Sequence, residues 1–359
     1  MDQRAMAFLR DLLAAASPSG YESEAVGVWR REAETFAAVD HDVLGNAYAR
    51  LGTGMVERDG PARPVVLIEG HIDEIGLLIT HVDESGYLWF QEIGGWDAQV
   101  LPGQRVRIAG TDGPVAGVIG RKAAHIVRRD DDGKATKTRD LWIDIGAAGR
   151  AAALARVSPG DPAVVEAPFL ELTDDLIVSR ALDNRVGAFV ALESLRLLSE
   201  DPPAGVEVVA LAAVQEEVSF AGATTAAYRV APAVAIAIDV THATDYPEAD
   251  KKADGEVRLG GGPVLTRGAS INPVVFAGLR RAAGELGLDC PVQGAPRASG
   301  TDADAMIKVG PGTATGLVSI PNRYMHSPNE MVSLADLDAA ATLIATYVRT
   351  ITAGIDFRP

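Results

Sequence analysis

Cysteine is all but missing from this chain. Cys290 is the only one among 359 residues, so no disulfide can form within it, and a reducing compartment, the cytoplasm, is expected. Long hydrophobic runs are missing too: no stretch of about 18 apolar residues escapes a charge or a breaker, which argues against a membrane-spanning helix. The opening segment MDQRAMAFLRDLLAAASPSG interleaves acids and bases and lacks the apolar block of a secretory signal. Basic residues are in the minority, 33 Lys and Arg against 49 Asp and Glu, and the formal charge of −16 opposes nucleic acid or an anionic membrane as partner. The same surplus suits a protein that concentrates cations, and it serves solubility equally well. Aromatic residues make up only 5% of the chain, few for a cleft that would stack sugars.

What is present reads as α/β. The length exceeds that of most single cores, so one large domain plus a smaller one is expected. The first forty residues look helical, with Ser19-Gly20-Tyr21-Glu22 resembling a capping box that opens a second helix. VVLIEG (65–70) is a buried-strand run. From about 75 to 170 short alternating segments such as YLWFQEI and QRVRIAG are separated by Gly, Pro and Asp turns, the pattern of a small all-β barrel or sandwich. The segment 128–140 is a charged loop. After 175 a helix, the strand VEVVALAAV, another helix and the strand VAIAIDV form a unit typical of parallel sheets covered on both faces. The expected fold is an α/β/α domain with a mixed, mostly parallel sheet (1–74 and 170–359), interrupted by a barrel-like β domain (75–169).

Metal-capable side chains stand where these strands and turns stop. His71 closes VLIEGH, and Asp73 shares its face two residues on, where it can orient the imidazole. Alone, His-x-Asp is a common strand end. Glu216 and Glu217 follow VEVVALAAV; adjacent side chains diverge, so one can ligate while the other reaches a bound water, although acids at a helix N-terminus would look the same. Asp239 ends VAIAIDV, where open α/β sheets place their ligands, and an acid there needs a partner. Asp183 precedes a helix and could simply cap it. His326 lies in the turn segment IPNRYMHSP.

The ordered set H-x-D, L-D-N-R, Q-E-E, D-V-T and R-Y-M-H-S resembles the tetrahedral-aminopeptidase family of dinuclear metallopeptidases, which includes glutamyl, leucyl and lysyl aminopeptidases, some once labelled cellulase or endoglucanase. PSGYE near the start, the glycine pair at 94–95, LGGGP at 259–263 and GTDA at 300–303 extend the likeness over nearly the whole chain. The resemblance implies two divalent ions per subunit, with Asp183 as the bridging ligand, His71 and Asp239 completing one site, and Glu217 and His326 the other. It makes Glu216 the general base and Asp73 the supporter of His71. Three acids offset three of four positive charges, and a bridging hydroxide, the nucleophile, brings the cluster to neutrality. Mixed imidazole and carboxylate donors suit zinc or cobalt, or manganese, better than magnesium or calcium. The substrates implied are short peptides, and the assembly a tetrahedral dodecamer built from dimers.

One departure is visible. The family commonly has Gly-Leu-Arg-Gly after the paired glutamates, whereas this chain has Ser219-Phe220-Ala221-Gly222, so any contact made by that arginine is lost at Ala221. His125 matches a histidine of the family's β insertion, near a subunit contact, and His242, three residues beyond Asp239, approaches the site in one reading. Arg267, Arg297 and Arg323 are candidates to bind an acidic substrate side chain, although Arg323 belongs to the frame the whole family shares and carries no information on specificity. Two other activities compete: a metal-dependent deacylase or dipeptidase on the same core, and a glycoside hydrolase, which needs two carboxyl groups facing across a sugar.

Overall fold

The computed structural model describes residues 1–51, 63–123 and 135–359. Its main element is an eight-stranded sheet in the spatial order β1 (Ala38–His41), β2 (Ala47–Arg50), β12 (Glu207–Ala213), β3 (Val65–His71), β13 (Val234–His242), β16 (Ala314–Asn322), β14 (Val264–Gly268) and β15 (Val292–Ala295). The central strands β12, β3, β13 and β16 run parallel, while β1, β2 and β14 add antiparallel pairings. Parallel strands are buried on both faces, which is why β3 and β13 read as nearly continuous apolar runs.

Alternation divides the two layers. Val66, Ile68, Ala210 and Ile236 face the larger core, built with α1 (Gln3–Ala14), α2 (Ser23–Ala33), α4 (Leu182–Glu200), α8 (Pro273–Leu286) and α10 (Leu334–Arg349). Their neighbours Leu67, Val209, Leu211 and Ala235 face the opposite side, under α6 (Ala221–Val230) and α9 (Ala303–Met306). Gly70 lets β3 pass close beneath α4, for a Cβ there would lie 2.2 Å from the Gly187 carbonyl carbon.

The insertion closes on itself. β4 (Gly76–Val82), β5 (Leu88–Ile93), β6 (Arg105–Gly110), β7 (Gly113–Gly120), β8 (Trp142–Asp144) and β9 (Pro162–Val165) form a closed barrel with its own core of Leu77, Leu88, Val106, Ile108 and Ile143, and with the short α3 (Arg150–Leu154) at its side. A three-stranded sheet of β10 (Leu170–Glu171), β11 (Leu176–Ser179) and β17 (Glu330–Ser333) joins the return segment to the chain just beyond His326. The remaining short helices are α5 (Glu216–Ser219) and α7 (Lys251–Asp254).

The helical reading of the first forty residues holds to Ala33. Beyond it the chain turns into the hairpin β1–β2, whose bend is set by Asp42: its carboxylate accepts the amides of Leu44, Gly45 and Asn46. The capping box does not form either. α2 starts at Ser23 without a side-chain cap, and the Ser19 hydroxyl is turned instead to Asp73. Of the charged loop at 128–140, residues up to 134 lie outside the described residues, as does His125.

Candidate metal centre

The site is built at the carboxyl ends of the central strands, where a parallel sheet leaves a crevice. β3 delivers His71, β13 delivers Asp239, and the turn after β12 delivers Glu216 and Glu217. Asp183 enters at the start of α4, where it and Asn184 have non-helical backbone angles and Asp183 makes no capping hydrogen bond. The capping alternative for Asp183 therefore fails. His326 arrives from the turn between β16 and β17.

These residues meet. Asp183 lies between the two imidazoles: its Oδ1 is 3.4 Å from His71 Nε2 and its Oδ2 is 3.4 Å from His326 Nε2. His326 Nε2 is also 3.4 Å from Glu217 Oε2. On the other side His71 Nε2 is 3.7 Å from Glu216 Oε2 and 3.8 Å from Asp239 Oδ1. Two groups of ligand-capable atoms result, His71 with Asp183 and Glu217, and His71 with Glu216 and Asp239, each group within 4.8 Å of one another. Glu217 Oε1 is buried without a hydrogen-bond partner.

Asp73 is fully buried and holds the two strand ends together. It accepts the Ser19 hydroxyl at 2.5 Å and the backbone amides of Glu216 and Glu217 at 3.1 and 3.2 Å. His71 Nδ1 lies 3.3 Å from Asp73 Oδ1, within ion-pair reach but not aligned as a hydrogen bond. Glu330, which had no signal beyond its place four residues after His326, joins Asp183 to His326: its carboxylate accepts the Asp183 amide at 2.8 Å and the His326 amide at 2.9 Å. Behind the strand ends, Glu74 pairs with the buried Arg180 and Arg185, and Arg185 also donates to the carbonyls of Ile72, Leu12, Ala15 and Ser17.

Electrostatics follow from crowding acids in a largely buried site. Burial, reinforced by the charges of Asp239, Asp302 and Glu217 and opposed by His71, pushes the Glu216 carboxyl up to about 10. Burial likewise raises Asp239 well above the ordinary range. Asp183 goes the other way: burial opposes its ionisation, but the flanking His326 and His71 hold it well below that range. His326 is pushed up to about 11 by Asp183 and Glu217. Without cations the cluster thus keeps protons that a metal would replace.

The turns that carry these side chains are bent in the left-handed region at non-glycine residues: Ala181 (φ 59), Gln215 (φ 60), Tyr324 (φ 63) and His326 itself (φ 58). Such backbone persists where surrounding contacts fix it, and it clusters at functional sites. His242 lines the cleft, exposed at its mouth. None of the three candidate arginines reaches it: Arg267 stacks on Phe276, Arg323 is held by Asp245 at 2.7 Å, and Arg297 is exposed outside the lining.

The α/β/α sheet with an inserted closed barrel matches the fold of TET aminopeptidases of known structure. The TET aminopeptidase of the marine sediment archaeon Thaumarchaeota archaeon SCGC AB-539-E09 superposes with a TM-score of 0.90 at 31% identity, covering 96% of each chain. The Pyrococcus horikoshii TET1 peptidase, which can assemble into a tetrahedron or a large octahedral shell, gives 0.84 at 30% identity over 97% of this chain and 100% of its own. In sequence, the lysyl aminopeptidase of Pyrococcus furiosus is 31% identical over 312 residues, 86% of this chain and 88% of that protein. Residues 52–343 match the M42 glutamyl aminopeptidase family, and the chain belongs to it. It is accordingly a peptidase of the hydrolase class.

Proposed function

We propose that the chain is a two-metal aminopeptidase that removes N-terminal residues from short peptides. The observation carrying this reading is Asp183, whose two carboxylate oxygens face two different imidazoles at the same 3.4 Å. A carboxylate so placed suits a bridge between two cations. The donor set fits as well: two imidazoles and three carboxylates suit zinc or cobalt, or manganese. The buried, unpartnered oxygen of Glu217 is costly unless a cation meets it.

On this reading His71 and Asp239 would hold one ion and Glu217 and His326 the other, with Asp183 shared between them. When bound, such a pair would supply Lewis-acid activation of water and of the scissile carbonyl. Glu216, beside the cluster but outside that set, would take the proton of the attacking water and hand it to the leaving amine. Asp73 keeps Glu216 and Glu217 at their places by holding both backbone amides. Glycoside hydrolysis draws little support, because no Phe, Tyr or Trp lines the cleft among the described residues and a single Trp96 lines the small cavity beside Asp183 and Glu217. The same core would equally serve a deacylase or dipeptidase, which a comparison of acyl-amino acids with aminoacyl amides separates.

We also read residues 1–74 and 170–359 as the catalytic unit and 75–169 as an insertion, in keeping with the span of the barrel strands, Gly76 to Val165. A cytoplasmic location is inferred from the single, buried Cys290, and a closed homo-oligomer from the assemblies named for the relative from Pyrococcus horikoshii.

The test is chelation followed by reloading. Stripped protein should release no reporter from aminoacyl amides, and zinc or cobalt should restore it. Glu216→Gln should keep both ions, by elemental analysis, while losing about 10²–10⁴-fold in turnover. Full activity in the metal-free protein would sink the proposal.

A further inference from the structure

The cluster forms one wall of a cleft of about 480 Å³ that continues past Asp239 along the sheet. Its floor follows from strand register. Asp239 pairs with Ser319 across β13 and β16, and Ser319 with Val264 of β14, so Leu317, Ser319, Thr241 and Thr266 lie on the face of the sheet that carries Asp239. Leu317, Ser319 and Thr266 are almost fully buried. The far wall is Gln293, whose side-chain oxygen accepts the Thr241 hydroxyl at 2.9 Å. Outside the cluster, no Lys, Arg, Asp or Glu lines this cleft among the described residues, and the one titratable side chain is His242 at its mouth. Of the cations adjacent in sequence, Arg267 lies over Phe276 and Arg323 is held by Asp245, while Arg297, between the lining residues Pro296 and Ala298, is exposed outside the lining.

From this we infer that the cleft takes the side chain of the substrate's N-terminal residue and selects an uncharged one of medium size, such as leucine, methionine or glutamine. The inference rests on the aminopeptidase reading. A lysine or arginine entering here would lose its hydration and find no carboxylate beyond the cluster, and a glutamate or aspartate would find no Lys or Arg in the lining. The floor instead offers Leu317 to an apolar chain and the Thr266 and Ser319 side chains to a neutral polar one. Exclusion of charge here is specificity by mismatch, and Thr241 fixes Gln293 in the wall that enforces it.

The experiment uses the metal-loaded protein with two readouts. In the first, kcat/KM is measured for leucyl, methionyl, glutaminyl, lysyl, arginyl, glutamyl and aspartyl reporter amides. The best uncharged substrate should exceed every charged one by at least about tenfold, a modest figure for a mismatched buried group. A lysyl, arginyl, glutamyl or aspartyl amide as the best substrate overturns the inference, and so does a panel flat to within threefold. In the second, calorimetry should find L-leucine bound at least about tenfold more tightly than L-lysine or L-glutamate. That readout stands even if no amide is cleaved, which would sink the aminopeptidase reading and leave the cleft's selectivity on trial separately. Gln293→Glu should raise the lysyl-to-leucyl ratio about tenfold; an unchanged ratio removes Gln293 from the specificity wall.

Discussion

Asp183 faces both imidazoles, one through each carboxylate oxygen. Removing it should be felt on both sides at once. Asp183→Ala is expected to abolish binding of both ions, whereas Asp239→Ala and His326→Ala should each spare one; elemental analysis after dialysis distinguishes the three. A variant Asp183→Ala that retained two ions would show that the carboxylate does not bridge. Glu330 acts at one remove, fixing the Asp183 and His326 amides. Glu330→Gln keeps an acceptor for one of them, so it should weaken metal affinity by less than Asp183→Ala does.

At the level of elements, the ends of β3, β12 and β13 were legible because each is an apolar run that stops at a polar side chain, and a parallel sheet places such ends together. The turns that complete the centre were less so. Ser19 looked like a helix cap because its spacing to Glu22 fits one, yet Asp73, 54 residues away, claims its hydroxyl. Arg185 stood in plain view within LDNRVG, but nothing local says that its guanidinium would reach back to carbonyls near residue 15 and to Glu74. Long-range partners of this kind leave no periodic trace. They are nonetheless measurable: Glu74→Ala strands two buried guanidinium groups, and denaturant unfolding should show a loss of about 3–5 kcal/mol. Gly70→Ala would drive a methyl into the backbone of α4 and should destabilise by about 3 kcal/mol or prevent folding.

Across the whole molecule, crowded acids couple stability to pH and to cations. In the metal-free protein the raised Glu216 and His326 bind protons more tightly when folded than when unfolded. Their contribution is complete below the ordinary carboxyl and imidazole values and is lost as pH climbs toward about 10 for Glu216 and about 11 for His326. Cations that displace these protons reverse the trend, so the rise in Tm on adding zinc or cobalt should be larger at about pH 8.5 than at about pH 6. Differential scanning fluorimetry with and without chelator reads this directly; an equal rise at both values contradicts it. A closed shell would appear in light scattering as a mass near a dozen chains, and a monomer at micromolar concentration would remove the assembly without touching the chemistry.

The left-handed bends at Ala181, Gln215, Tyr324 and His326 set a trade that protein engineers would meet early. Side chains at such angles cost roughly 1–3 kcal/mol each in strained cases, so a library screened only for heat resistance would favour glycine at Ala181 or Gln215. Those same replacements would loosen the hinges on which the carboxylates are hung. Hardier clones from such a screen should therefore be slower catalysts, and the fastest ones should keep their original side chains at these four corners.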